Sequence, residues 1–290
     1  MNIKKYLDCN AKTLINKNVV VTGATGGIGK EFCKELALLN ANIILVSRNK
    51  NKLNELKEEL LHLNSHINIK ILICDFLNSK SVKELCKQLK NIKINYLIHN
   101  AGAYALPKEN TEDGYNNIFQ INAIIPYYIT KELMENIKIN KGKVIGVSSI
   151  STSLAKVDKL DYQYLNHRPI VLYGNSKRWH HLSLVTLCKI NDIDYSIVHP
   201  GVSYTNITSN YKTIYHKLIK YPMKLIFNSN IRSSLNIIKG MFINKSYPYW
   251  VGPRYFNIWG NPSVKQCKIS DDFNFIYTTL NKICDNINNN

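Results

Sequence analysis

The sequence predicts an α/β fold, a parallel sheet with helices on both faces, and three observations carry that prediction. Short β-branched runs alternate with amphipathic helical runs along most of the chain. The first of them, Val19-Val20-Val21, leads straight into Thr22-Gly23-Ala24-Thr25-Gly26-Gly27-Ile28-Gly29, which opens a stretch of helical period. Length and composition agree, since 290 residues of 45% hydrophobic content bury one large core and no shift in composition marks a second domain.

In chain order, the apolar runs place strands near 18–22, 42–47, 69–74, 94–98, 143–148, 194–198 and 247–251. Apolar residues at helical spacing place helices near 27–39, 50–63, 79–90, 114–138, 172–190, 231–242 and 270–287. The sum is a Rossmann-type, doubly wound parallel sheet of about seven strands. Residues 1–17 form an N-terminal arm and 18–284 a single catalytic domain. The asparagine-rich tail 285–290 is expected to be disordered. Two long connections, 150–171 and 201–230, follow strand carboxyl ends, where ligands bind in open α/β sheets, so they are expected to shape a substrate pocket.

The bulk numbers narrow the function. The charge of +18 raises nucleic acid and anionic membrane as partners, but lysine far outnumbers arginine and is spread along the chain. Phosphate readers concentrate arginine, so the composition argues against nucleic acid. No apolar run reaches the length of a membrane span, and the basic start lacks the apolar segment of a signal peptide. Seven scattered cysteines without a CxxC read as reduced thiols in a cytoplasmic protein. His62 and His66 share a helix face but have no third ligand near them, so no metal site is expected.

The glycine octapeptide carries the first chemistry. A strand, a glycine turn and a helix N-terminus in succession make a phosphate cradle, so Thr22, Gly23, Thr25, Gly27, Ile28 and Gly29 are read as a dinucleotide site. Gly23 allows the tight turn, Gly27 the approach of the pyrophosphate, and Gly29 the close packing of helix on strand. Arg48 stands after the second strand, where NAD-binding folds commonly carry an acid. A cation there suits a 2′-phosphate, which favours NADP(H) over NAD(H); the alternative is a surface arginine at the next helix. Asp75 either accepts from the adenine amino group or is an ordinary loop residue. Asn100, Ala101 and Gly102 end the fourth strand and let the backbone pass the adenine side of the site.

Tyr173 and Lys177, at i and i+4, share one helix face, and an ammonium beside a phenol lowers its pKa toward a usable acid/base. Tyr104 with Lys108 and Tyr127 with Lys131 repeat the spacing, but only Tyr173 follows a strand ending in serines. Ser149, rather than Ser148, is read as the hydroxyl that polarises a substrate carbonyl. Tyr211, Ile214, Tyr215 and Leu218 make an apolar stripe in 211–228, read as the underside of a substrate lid, with membrane contact ranked second.

Taken together, these residues resemble the short-chain dehydrogenase/reductase family. The resemblance rests on the glycine turn, Asn100-Ala101-Gly102, Asn122, Ser149, Tyr173, Lys177 and His199-Pro200-Gly201, in the family's order. The separation of Ser149 from Tyr173 is about twice the family's usual one, and the added segment, with Trp250-Val251-Gly252-Pro253, is similar to the retinol-dehydrogenase-like branch. The resemblance implies that Tyr173 moves the proton and Lys177 holds the nicotinamide ribose. Ser149 then steadies the alkoxide and Asn122 holds a relay water. Pro200, Gly201, Val202 and Thr205 orient the nicotinamide. His99 departs from the family, which often has a second asparagine there.

The expected function is an NADP(H)-dependent enzyme interconverting carbonyl and alcohol on an apolar or lipid-like small molecule. A non-catalytic cofactor-binding sensor and a peripheral membrane reductase are the rivals. The oligomeric state is left open.

Overall fold

The computed structural model describes Tyr6 and residues 12–104, 106–107, 109–154, 156–163, 167–201, 229–245, 247–268 and 270–289. The strands are β1 (Asn18–Thr22), β2 (Asn42–Ser47), β3 (Ile69–Ile73), β4 (Tyr96–His99), β5 (Lys143–Val147), β6 (Asp194–Val198), β7 (Tyr249–Tyr255) and β8 (Trp259–Gln266). They form one sheet in the order β3-β2-β1-β4-β5-β6-β7-β8. All neighbouring pairs through β7 are parallel; β8 returns antiparallel on β7.

The helices are α1 (Gly27–Leu38), α2 (Lys50–Leu63), α3 (Ser79–Lys90), α4 (Asn117–Phe119), α5 (Ile125–Glu132), α6 (Met134–Ile139), α7 (Pro169–Ile190), α8 (Asn230–Phe242) and α9 (Phe273–Asn289). Strand residues alternate between two cores because successive side chains point to opposite faces. Val19, Val21, Ile43 and Leu45 join α1, α2 and α8 on one face. Val20, Ile44 and Leu72 join α3, α5, α7 and α9 on the other. The doubly wound expectation holds.

Four expectations are corrected. An eighth strand, β8, extends the sheet; its Gly260 and Pro262 hide it from pattern reading, and an edge position tolerates both. The helix expected over 114–138 is three helices, with a π-helical turn at Gln120–Ile124 between α4 and α5. Pro126 has no N–H to give the carbonyl of Asn122 four residues back, so the regular ladder cannot run through it. α7 starts at Pro169 instead of 172, with Arg168 extended before it, since proline suits the first helical position. The tail does not fray through Asn289: Ile287 is buried, and the Tyr128 hydroxyl donates to Asn288. Of the connection expected at 201–230, residues 202–228, with the lid segment, lie outside the described residues.

Candidate active site

A cavity of about 500 Å³ runs along the carboxyl ends of β1 to β4. Its floor is the glycine turn. Gly23 has φ of +64°, and a side chain there would lie 2.8 Å from the Ala101 Cα. A side chain at Gly29 would strike the Gly23 carbonyl oxygen, so only glycine lets α1 approach β1 this closely. Thr22 locks the turn to the next strand: its hydroxyl donates to the Ile98 carbonyl and accepts from the amides of Asn100 and Ala101. The Asn100 side-chain amide donates to the carbonyls of Thr22 and Gly23.

The cradle fits an anion. Gly26, the N-cap of α1, offers no side chain to the first helical amides, and the first turn carries no acid. Arg48 lines the cavity after β2, with Asp75 after β3 and Gly102 after β4. Two lining residues that sequence reading missed are Lys52, in the first turn of α2, and Tyr104. The lysine could have been found as a second cation close after Arg48; the tyrosine, in a loop, gave no periodic signal. The Thr25 hydroxyl is 2.8 Å from that of Ser47. Gly27 faces the side chain of Asn230 at the start of α8, where an added Cβ would come within 2.7 Å of the amide nitrogen. Such a contact across the molecule has no sequence signature.

The proposed reactive groups adjoin the Gly102–Tyr104 end of this cavity without lining it. The Tyr104 ring meets that of Tyr173 edge to face at 5.1 Å. A side chain at Gly102 would lie 3.2 Å from Lys177 Nζ and 3.3 Å from Asn122 Oδ1. Lys177 donates to the Val147 carbonyl at 2.9 Å. Asn122 clasps the neighbouring loop, with Oδ1 accepting from the Ala103 amide at 2.8 Å. Its Nδ2 donates to the Ala103 carbonyl and to Ser176 Oγ. Ser149 Oγ accepts from the amide and hydroxyl of Ser151, which leaves its own proton for Tyr173. Ser148 is buried.

Electrostatics differ from the sequence expectation in one respect. Burial pushes the Tyr173 phenol up to about 12, opposed by the hydrogen bond from Ser149. Burial pulls Lys177 down to about 8. The polypeptide alone therefore does not bring the phenol toward neutrality; Lys177 spends a hydrogen bond on Val147. Beneath it lie two buried histidines. His99 donates from Nε2 to Thr130 Oγ1, which itself donates to the Pro126 carbonyl. The His99 ring meets that of His180 edge to face at 6.1 Å. Burial lowers His99 to about 3, and His180 well below its ordinary value.

Pro200 and Gly201 (φ +87°) follow β6 as expected; Val202 and Thr205 lie outside the described residues. The structure thus brings Gly23, Thr25, Gly27, Ile28, Gly29, Arg48, Asp75, Asn100, Ala101 and Gly102 to one cavity. Thr22 braces it from behind, while Tyr173 adjoins it through Tyr104, and Lys177 and Asn122 adjoin it beside Gly102.

A family model described as short chain dehydrogenase matches residues 17–162. Retinol dehydrogenase 13 of Homo sapiens is 29% identical over 214 residues, covering 69% of this chain and 63% of that protein. The chain spans less than two thirds of the length of several curated relatives it matches. An uncharacterized protein from Mycobacterium Paratuberculosis superposes with a TM-score of 0.71 at 20% identity, covering 96% of this chain and 95% of that one. An alcohol dehydrogenase from Thermococcus sibiricus, complexed with 5-hydroxy-NADP, gives a TM-score of 0.62 at 18% identity, covering 88% and 99%.

Proposed function

The chain belongs to the short chain dehydrogenase family, and on that premise we propose an NADP(H)-dependent oxidoreductase that interconverts a carbonyl and an alcohol on an apolar small molecule. The observation that supports this reading is the cavity built on the glycine turn, at whose Gly102–Tyr104 end Tyr173 packs on Tyr104 and Lys177 lies beside Gly102, with Ser149 hydrogen-bonded to Tyr173. When bound, the dinucleotide supplies the hydride. The chain supplies the rest. The α1 amides and Gly23–Gly29 take the pyrophosphate, and Arg48 with Lys52 the 2′-phosphate. Asp75 faces the adenine, and Asn100–Gly102 lets the ring pass.

In the reductive direction Tyr173 gives its proton to the carbonyl oxygen, and Ser149 donates to the same oxygen as charge gathers there. Lys177, charged below its pKa of about 8, holds the ribose and offsets charge on the phenolate left behind. A phenol at about 12 remains protonated until the transfer, which suits an acid. Asn122 keeps the loop at Ala103 in place beside Lys177 and holds the relay water. Pro200, Gly201, Val202 and Thr205 orient the nicotinamide. We extend the proposal to a single catalytic domain over 18–284, with 150–171 and 201–230 as its substrate-side segments.

The test is titration with NADPH and NADH by calorimetry, followed by absorbance assays on apolar aldehydes and ketones, with Tyr173→Phe alongside. The expected result is NADPH preference, turnover with at least one carbonyl, and at least a thousandfold loss in Tyr173→Phe without loss of binding. Tight binding without turnover across the panel would move the chain to the sensor reading. Absence of binding would refute both.

A further inference from the structure

The last two strands form a feature that the proposed reaction does not use. β7 follows β6 only as far as Val251, opposite Val198, and then runs on to Tyr255. The β7–β8 hairpin therefore projects beyond the carboxyl edge of β6, on the cavity side of the sheet. At its tip Phe256 is 81% exposed, flanked by Tyr255 at 51% and Trp259 at 45%. Phe256 (φ +50°) and Asn257 (φ +58°) both sit in the left-handed region. A bulky aromatic rarely adopts that conformation, and here no burial compensates for it.

The tip is nonetheless braced. Lys265 Nζ donates to the Pro253 carbonyl and to Asn257 Oδ1 at 2.6 and 2.7 Å. His199 Nε2 bonds the Asn257 carbonyl at 2.7 Å, and its ring stacks on Trp250 at 5.6 Å. Arg254, exposed, lies 6.0 Å from the centre of the Tyr255 ring. A strained aromatic tip held rigid in solvent is poised for contact.

Charge names the partner. Between Tyr247 and Lys268 the chain carries no Asp or Glu, while Arg254 and Lys265 stand on the hairpin and Lys268 just beyond it. Aromatic rings with flanking cations match the interface of an anionic bilayer, where the rings sit at headgroup depth and the cations meet lipid phosphate. We propose that the β7–β8 tip is a docking prong for an anionic membrane surface, with Tyr255, Phe256 and Trp259 entering the headgroup layer beside Arg254. The inference stands apart from the proposed reaction and uses none of residues 211–228.

The test is co-sedimentation of the full chain with phosphatidylcholine vesicles, with and without phosphatidylserine, at low and high salt. The expected result is binding to the anionic vesicles alone, weakened at least tenfold by high salt. Phe256→Gly relieves the left-handed strain, so it is expected to keep or raise the melting temperature while weakening binding at least tenfold. Ile139→Ser, an exposed apolar residue just before β5 at the opposite sheet edge, is expected to leave binding unchanged. No binding to anionic vesicles, or binding untouched by Phe256→Gly, would overturn the proposal. So would self-association without lipid that Phe256→Gly abolishes, which would assign the tip to a second copy of the chain.

Discussion

Gly29→Ala tests the packing argument at its tightest point. The added Cβ would strike the Gly23 carbonyl oxygen and stand 2.7 Å from Asn100 Nδ2 and 3.2 Å from the Ala24 Cα. That oxygen cannot simply yield, because it accepts from the Gly26 amide at 3.0 Å and from Asn100 at 3.1 Å. Restoring an ordinary contact needs a shift of roughly 1 Å, which overpacks the turn at about 1–3 kcal/mol. Loosening two hydrogen bonds adds about 1 kcal/mol. A total near 2–4 kcal/mol lowers the melting temperature by roughly 3–7 °C for a domain of this size. Because the moved atoms form the pyrophosphate cradle, NADPH affinity should fall at least tenfold. Scanning fluorimetry and calorimetric titration read the two effects. Gly27→Ala is the contrast: its Cβ meets the end of the Asn230 side chain, 2.7 Å away, which can swing aside. It should cost under about 1 kcal/mol, and Asn230→Ala should restore it. A Gly29→Ala protein with unchanged melting and affinity, or one no worse than Gly27→Ala, would refute the reasoning.

Arg48→Ala should weaken NADPH about 10–100-fold while leaving NADH within about threefold, since a charge-assisted contact to phosphate is worth about 1.5–3 kcal/mol. Equal losses for both cofactors in parallel titrations would remove Arg48 from the 2′-phosphate. Glu35→Gln should raise stability at neutral pH. Burial holds the Glu35 carboxyl well above its ordinary value, its Oε1 accepts from Ser234, and its Oε2 has no partner among the described residues. With the folded pKa raised, the native state binds the extra proton, so its contribution is full below the unfolded pKa and is lost as pH rises through the folded one. The loss runs at about 1.4 kcal/mol per pH unit. Melting curves of the two proteins should converge at acid pH and separate toward neutrality; parallel curves would show that Glu35 does not titrate with folding.

The sheet was legible because buried parallel strands have little choice of composition: Val19–Val21, Ile43–Val46 and Val144–Val147 are apolar runs bounded by turn residues. The glycine turn was legible for the same reason, since no other residue type fits. β8 was not, because Gly260, Pro262, Ser263 and Lys265 give no apolar run, and the strand takes its place from pairing with β7 and from its contact with α8. The broken helix at Gln120–Ile124 was hidden by a period that runs smoothly through it, although Pro126 was a visible warning. At the site, the candidates Tyr173, Ser149 and Lys177 were picked out by their order along the chain, whereas the contact of Asn230 with Gly27 and that of Tyr104 with Tyr173 arise through folding, which no local pattern records. The lowered phenol pKa was misjudged because spacing on a helix says nothing of burial or of the Val147 carbonyl that engages the lysine.

The buried histidines make the molecule an acid fuse. His99, His180, His181 and His199 are all held neutral by burial, the first to about 3 and the last two to about 4. Unfolded, each would take a proton near 6.5, so the unfolded chain binds more protons than the native one throughout that window. Stability therefore drains away as pH falls below 6.5, at about 1.4 kcal/mol per pH unit for each ring. Four rings titrating together withdraw about 5–6 kcal/mol per pH unit, against a total stability of only about 5–15 kcal/mol. Acidification by about two units is therefore expected to remove much of that margin, in the range where surface carboxylates also begin to take protons. A molecule wired in this way is expected to hold its fold at neutral pH and to lose stability steeply in a sour medium.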